Sequence, residues 1–167
     1  EFVAKAGGTP VMPRVGHSFI KAEMAAQGAV FGGEHSAHYY FRDFYNADTG
    51  MLAAMHVLAA LGGQQLPLSE LGAEYEPYVA TGEINSEVED KAGATARVVS
   101  HFQDQPVDVT TMDGTTISAV DGSWWINLRP SNTEPYLRFN GEGRTAQIIE
   151  PIRDAVLAIV RENTVAN

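Results

Sequence analysis

Between residues 64 and 82 the sequence loses the regular spacing of apolar residues that marks the segments on either side of it. Prolines and glycines recur there instead, namely Pro67, Gly72, Pro77 and Gly82. Both residue types interrupt helices and strands, and boundaries between folded units fall in such segments. The sequence therefore predicts two units, residues 1–63 and 83–167, joined by a linker over residues 64–82.

Short strand-like segments alternate with helical ones through residues 1–63. Residues 9–15, 29–31 and 39–41 have the composition of short strands. One helix is predicted to begin near Ser18 and to end at Gly28. A second helix is indicated by apolar residues at helical spacing, namely Met51, Met55, Leu58 and Leu61. This alternation predicts part of an α/β layer.

The second unit has the pattern of a small α+β fold. Strands are predicted at residues 83–88, 107–110, 115–118, 124–128 and 136–139. The Asp113-Gly114 pair between two alternating segments is typical of a hairpin turn. Helices are expected over residues 92–102 and near the end of the chain, where Pro151 should either begin the helix or kink it. We predict an antiparallel sheet with helices on one face.

Composition excludes several classes of function. Lys and Arg number 11 against 21 Asp and Glu, a formal net charge of −10, whereas nucleic-acid binding relies on a broad basic surface. The absence of cysteine excludes disulfides and thiolate sites. No apolar run reaches the roughly 18 residues of a membrane helix. We therefore expect a cytoplasmic protein with neither a nucleic-acid nor a membrane partner.

The most informative polar segment is Arg129-Pro130-Ser131-Asn132-Thr133-Glu134-Pro135, which lies between two predicted strands. It offers a guanidinium, two hydroxyls, an amide and backbone N–H groups, which together suit the oxygens of a phosphate. The same composition is ordinary in a turn between strands. The residues alone leave both interpretations open.

A second polar segment is Gly32-Gly33-Glu34-His35-Ser36-Ala37-His38. Its glycines allow a ligand to approach the backbone, and its carboxylate, hydroxyl and imidazole groups can hold sugar hydroxyls. Glu34, His35 and His38 also permit a metal site, although the spacing is a weak signal, and a solvated loop is the third possibility. His17 precedes a predicted helix start, a position that suits anion binding or a plain surface residue.

Three motifs, in order along the chain, resemble those of the α-D-phosphohexomutase superfamily, and within it the bacterial phosphomannomutase/phosphoglucomutase group. Gly33-Glu34-His35-Ser36-Ala37-His38 looks like the family's sugar-recognition loop, in which Met and Gly usually replace His35 and Ala37. Residues 129–135 look like its phosphate-binding loop. Gly16-His17-Ser18 matches a segment whose histidine faces the active site.

The resemblance implies both a fold and an incomplete enzyme. The fold would be an α/β remnant of the family's third domain, followed by an α+β fourth domain similar to the TATA-box-binding protein. The missing N-terminal domains would carry the phosphoserine and the Mg²⁺-binding loop, whose sequence motifs do not occur here. We therefore expect a C-terminal fragment whose exposed surfaces favour self-association.

The resemblance also implies an activity and residue roles. The family's isomerases interconvert hexose 1-phosphate and hexose 6-phosphate through a phosphoserine and a bisphosphorylated intermediate, so Mg²⁺ and glucose or mannose 1,6-bisphosphate are the implied cofactors. His17 and His38 would be catalytic, and Glu34 and Ser36 would bind sugar hydroxyls. The non-reacting phosphate would be held by Arg129, Ser131, Asn132 and Thr133.

Two hypotheses follow for the chain itself. In the first, it is part of a phosphohexomutase that binds hexose phosphate but does not catalyse the reaction without the missing domains. In the second, it is a free-standing, non-catalytic module that binds phosphosugars or another partner.

Overall fold

The protein is described by a computed structural model over residues 2–162, which form two compact units divided between Tyr75 and Glu76. The segment predicted as a linker, residues 64–82, is more ordered than its sequence indicates. A short helix occupies Leu68–Ala73 in the first unit, and a strand at Val79–Ala80 belongs to the sheet of the second. Pro67 stands at the N-cap of the helix, outside its hydrogen-bonded turns.

The first unit is built from short elements within residues 2–75. Its helices are α1 (Phe2–Lys5), α2 (His17–Gln27), α3 (Gly50–Gly62) and α4 (Leu68–Ala73). Its strands are β1 (Phe31–Gly33), β2 (Tyr39–Phe41) and β3 (Ala47–Asp48), and a 3₁₀ turn (Arg42–Phe44) lies between the last two. The strands form an antiparallel sheet in the order β1-β2-β3.

The packing of α2 on this sheet forms the core of the first unit. Ile20 and Met24 of α2 are buried against Tyr40 of β2, whose ring is fully buried. A side chain at Gly32 would lie 3.0 Å from the sulfur of Met24, so glycine is what allows the close approach of helix and strand. The strand predicted at residues 9–15 is not formed, because two prolines there cannot donate to a ladder.

The second unit is an antiparallel sheet covered by two helices. Its strands are β4 (Val79–Ala80), β5 (Ile84–Glu87), β6 (Val107–Thr110), β7 (Thr115–Ala119), β8 (Trp124–Pro130) and β9 (Tyr136–Gly143). Its helices are α5 (Lys91–Phe102) and α6 (Ala146–Arg161). The strand order is β4-β9-β8-β7-β6, and β5 also pairs with β9. The predicted hairpin joins β6 to β7, with Thr110 opposite Thr116.

One apolar core joins the inner face of this sheet to both helices. Ile126 of β8 and Phe139 of β9 are buried against Val98 of α5 and Val156 of α6. Helix α6 begins at Ala146 and passes through Pro151, so of the two alternatives expected for this proline, a helix start there is wrong. The proline removes one backbone hydrogen bond, while the buried apolar stripe of α6 favours a continuous helix.

In residues 2–162, no helix combines the length and the apolar character that crossing a bilayer requires.

Candidate functional site

The first unit gathers five polar side chains, which come from α2, from the turn between β1 and β2, and from strands β2 and β3. His17 is the first residue of α2, Tyr40 lies on β2 and Asp48 ends β3. Glu34 and His38 flank the turn between β1 and β2, which is closed by a hydrogen bond of 2.9 Å from the Glu34 N–H to the His38 carbonyl. The turn therefore holds Glu34 next to the hydroxyl of Tyr40 and His38 next to the imidazole of His17.

Tyr40 connects the buried core to this polar cluster. Its hydroxyl donates to Glu34 Oε1 at 2.5 Å and lies 2.8 Å from His17 Nδ1. Because a carboxylate only accepts, the single phenolic proton goes to Glu34, and His17 Nδ1 must carry a hydrogen and donate to the oxygen. Burial, followed by the Glu34 carboxylate, raises the pKa of Tyr40 above its ordinary value. The phenol therefore remains a neutral donor.

His38 and Asp48 form a second pair beside the first. His38 Nδ1 lies 2.6 Å from Asp48 Oδ2, and the other carboxylate oxygen accepts from the Tyr39 N–H at 2.9 Å. The hydrogen bond to Asp48 raises the pKa of His38. Hydrogen bonds from His38 and from the Tyr39 backbone lower the pKa of Asp48. The imidazole rings of His17 and His38 cross edge to face, with centroids 4.6 Å apart.

In the second unit, the segment 129–135 runs from the end of β8 into the start of β9. The Ser131 N–H donates to the Tyr136 carbonyl at 2.8 Å, and the Glu134 N–H donates to Ser131 Oγ at 3.2 Å. Lys91, the first residue of α5, donates from Nζ to the carbonyls of Ser131 (3.0 Å) and Glu134 (2.7 Å). The loop is thus held at both ends, while Asn132 and Thr133 lie exposed between them.

Arg129 and Arg138 lie opposite each other on β8 and β9, but their partners differ. Arg138 is paired with Glu83 at 3.1 Å and Glu134 at 3.5 Å. Arg129 has a longer contact of 3.6 Å with Asp113, and its side chain is 39% exposed. An exposed contact of this length stabilises little, so the Arg129 guanidinium can turn to an arriving anion at small cost.

The structure brings together some of the residues predicted from sequence. In the first unit, His17, Glu34 and His38 share one cluster, and Ser36 is exposed on the same turn. In the second unit, Arg129, Ser131, Asn132 and Thr133 lie on one continuous strand end and loop. The sequence analysis missed Tyr40, Asp48 and Lys91, each of which lies in a different element from the motif it contacts.

The Mg²⁺ implied by the resemblance can be tested against the donor groups present. Within residues 2–162, the group with three potential metal ligands close together is His17, His38 and Asp48. Mg²⁺ prefers six oxygen ligands and retains several waters, whereas this group is dominated by imidazole nitrogen. These residues therefore do not fit Mg²⁺.

The structure consists of an α/β unit followed by an α+β unit. Each unit presents a polar turn whose backbone is held by hydrogen bonds. The family description "Phosphoglucomutase/phosphomannomutase, alpha/beta/alpha domain III" matches residues 1–78. The description "Phosphoglucomutase/phosphomannomutase, C-terminal domain" matches residues 83–159. The chain belongs to the phosphoglucomutase/phosphomannomutase family, and the fold class expected from the sequence is confirmed.

Individual relatives agree with this assignment. Phosphohexose mutases of Xanthomonas campestris pv. campestris are 42% identical over 100% of this chain and 35% of their own length. The phosphomannomutase of Salmonella montevideo is 47% identical over 85% of this chain and 31% of its length. A crystal structure of a phosphoglucomutase/phosphomannomutase family protein from Burkholderia thailandensis superposes with a TM-score of 0.76 at 25% identity, covering 99% of this chain and 35% of that one. The chain thus spans about a third of the length of these relatives.

Proposed function

We propose that this chain is the substrate-holding C-terminal part of a cytoplasmic phosphohexomutase. The whole enzyme interconverts hexose 1-phosphate and hexose 6-phosphate through a phosphoserine and a bisphosphorylated hexose, with Mg²⁺ held outside this chain. Alone, the chain binds hexose phosphate and does not turn it over. The assignment to the family and the share of each relative that the chain covers support this proposal.

The observation that carries the proposal is the preorganised loop at residues 129–135. Lys91 and the start of β9 fix its backbone, and Arg129 remains weakly paired beside it. Because the loop backbone is already fixed, a phosphate that binds there pays little to order it, and the guanidinium and hydroxyls of the loop can donate to its oxygens. In the proposed reaction this loop holds the phosphate that is not being transferred.

The polar cluster of the first unit suits the sugar and its reacting oxygen. One oxygen of Glu34 accepts from Tyr40, and the other remains able to accept from a sugar hydroxyl, with Ser36 beside it on the same turn. His38 donates through Nδ1 to Asp48, so its Nε2 can take up or release a proton at the hydroxyl that gains or loses phosphate. We assign His17 the supporting role of orienting that hydroxyl.

The proposed contacts also predict dual specificity. We assign Glu34 and Ser36 to the 3- and 4-hydroxyls, which are equatorial in both glucose and mannose. These sugars differ at C2, so contacts at C3 and C4 bind both epimers. Discrimination would require a further group near C2.

Calorimetric titration of the 167-residue chain with glucose 1,6-bisphosphate tests the proposal. We expect binding that weakens about tenfold to a hundredfold in Arg129→Ala, because loss of a charged hydrogen-bonding partner costs about 1.5–3 kcal/mol. Arg153→Ala is the matched control, since Arg153 pairs with its neighbour Asp154 on α6. Unchanged affinity in Arg129→Ala, or turnover of mannose 1-phosphate by the pure chain, would contradict the proposal.

A further inference from the structure

The hydrogen bonds of the first unit fix the protonation of two imidazoles at the same time. His38 Nδ1 donates to Asp48 Oδ2, and His17 Nδ1 donates to the hydroxyl of Tyr40. A neutral imidazole carries one hydrogen, so in both rings the lone pair is on Nε2. The two histidines therefore present the same type of acceptor atom from rings that touch edge to face.

This arrangement has the outer partners of a metal site. Histidines that bind a metal donate the other ring N–H to a carboxylate, a carbonyl or water, which fixes the ring and strengthens the donor nitrogen. Asp48 accepts the Nδ1–H of His38 directly. The Tyr40 hydroxyl accepts the Nδ1–H of His17 and is itself held by Glu34. One ligand atom from each of His17, His38 and Asp48 lies within 4.8 Å of the other two.

The charge and exposure of the cluster are also compatible with a cation. Two carboxylates, those of Glu34 and Asp48, lie next to the imidazoles and offset the charge of a divalent ion without needing to ligate it. His17 is exposed and His38 is 41% exposed, so water can complete a tetrahedral coordination sphere. Imidazole nitrogen suits Zn²⁺, Ni²⁺ and Cu²⁺ rather than Mg²⁺.

We propose that His17 and His38 bind one divalent transition-metal ion through their Nε2 atoms, with Asp48 and the Tyr40–Glu34 pair as the outer partners that orient the rings. This inference goes beyond the proposed function and does not depend on it. A bound ion would occupy the Nε2 lone pair of His38, which the proposed mutase reaction needs for proton transfer.

Titration of the 167-residue chain with Zn²⁺ tests this site without any sugar phosphate. Calorimetry should show one ion per chain, with the affinity at least tenfold lower in His17→Ala and in His38→Ala. Asp48→Asn should weaken binding about tenfold, as expected for loss of an outer-sphere partner. His35→Ala is the matched control, because His35 is exposed on the same turn but outside the cluster, and its affinity should match the unsubstituted chain.

Nitrogen-15 spectra of the imidazoles provide a readout that does not depend on the variants folding. Before Zn²⁺ is added, and at a pH where the imidazoles are neutral, the hydrogen of His17 and of His38 should be found on Nδ1 and the lone pair on Nε2. On titration, the Nε2 signals of these two residues should move and those of His35, His56 and His101 should not. Zn²⁺ binding that survives both alanine substitutions, or Nε2 signals that stay in place, would overturn the proposal.

Discussion

At the scale of single residues, Ala37 carries a local strain that its neighbours explain. It lies in the turn between Glu34 and His38 with φ +65°, a left-handed conformation in which a side chain is unfavourable. The hydrogen bond of 3.0 Å from its N–H to the Glu34 carbonyl maintains that conformation. The related loops usually have glycine at this position, so the sequence difference has a direct backbone cost.

We predict that Ala37→Gly stabilises the chain by about 0.5–1 kcal/mol, because relief of the left-handed strain exceeds the extra flexibility that glycine gives the unfolded state. Urea unfolding measures the difference. The control is Ala53→Gly within α3, which should destabilise by about 1 kcal/mol. A loss of stability in Ala37→Gly would show that the turn does not hold this conformation.

The shifted pKa values of His38 and Asp48 predict how the stability of the fold depends on pH. The pKa of His38 is raised in the folded state. Its contribution to the stability of the fold is therefore complete below the ordinary pKa of 6.5 and is lost as the pH rises through the raised pKa. Asp48 has a lowered folded pKa, so its contribution is present above 3.8 and is lost as the pH falls through the lowered value. The pair should therefore stabilise the fold most between about pH 4 and 6.5.

Unfolding free energies of the unsubstituted chain and Asp48→Asn, measured from pH 5 to pH 9, test this dependence. The stability difference between them should shrink as the pH rises past the His38 pKa, because a neutral imidazole interacts less strongly with the carboxylate. Asp43→Asn is the control, since Asp43 pairs with Arg42, which does not titrate in this range. A difference for Asp48→Asn that stays constant over this range would contradict the assignment.

At the scale of elements, the junction of α5 with the 129–135 loop positions the proposed phosphate site. Asp90 caps α5 by accepting from the Gly93 N–H at 2.8 Å. This cap fixes Lys91 at the first position of the helix, where its ammonium reaches both loop carbonyls. The helix start and the loop therefore form one hydrogen-bonded assembly.

We predict that Lys91→Met loosens this loop while leaving the sheet folded. Amide hydrogen exchange should become faster at residues 131–134, and the affinity for glucose 1,6-bisphosphate should fall about tenfold as charged hydrogen bonds are lost. Lys91→Arg should restore part of the exchange protection and part of the affinity. Lys21→Met on α2 is the control and should change neither quantity. Unaltered exchange at the loop in Lys91→Met would show that the ammonium is not what holds it.

Local sequence patterns predicted elements well where neighbouring residues determine the structure. The Asp113-Gly114 hairpin is confirmed because its turn requires a glycine: Gly114 has φ +71° and lies against the Leu128 carbonyl. The path of α6 through Pro151 was not predictable from the proline alone, since buried residues on both sides of it contribute to the helix.

The residues of the site that the sequence patterns did not indicate are those whose partners lie far away along the chain. Tyr40 belongs to an aromatic run whose pattern gives no sign of a hydroxyl partner 23 positions away, at His17. Asp48 and Thr49 both suit the cap of the helix that follows, and Thr49 takes that role by accepting from the Leu52 N–H at 3.3 Å. The sequence gives no sign that Asp48 pairs with His38 instead. Lys91 reaches carbonyls 40 and 43 positions further along. Only the folded backbone brings these groups together.

At the scale of the whole molecule, the exposed apolar surface of the first unit predicts self-association. Helix α3 has no buried residue, and Met51, Met55 and Leu58 are 74%, 59% and 65% exposed. Contiguous apolar surface of this kind tends to be covered by another protein surface. In the isolated chain, a second copy is the partner available.

Sedimentation velocity of the 167-residue chain should therefore show a sedimentation coefficient that rises with protein concentration. Leu58→Lys should reduce this rise, because it places a charge in the middle of the apolar surface. Val120→Lys is the control, since Val120 is also exposed (64%) but lies in the second unit. A chain that stays monomeric at all concentrations, or equal behaviour of the two variants, would contradict this prediction.

The pairing of β9 has a mechanical consequence for the loop that precedes it. Along one edge β9 is joined to β8 over seven residue pairs, and along the other it is joined first to β5 and then to β4. Because β9 has hydrogen-bonded partners along both edges, it cannot shift relative to the sheet without breaking hydrogen bonds to β8 and to β4 or β5. The base of the loop is anchored to this strand, since the Ser131 N–H donates to the carbonyl of Tyr136, the first residue of β9. Adjustment to an arriving ligand is therefore confined to the exposed tip at residues 132–134.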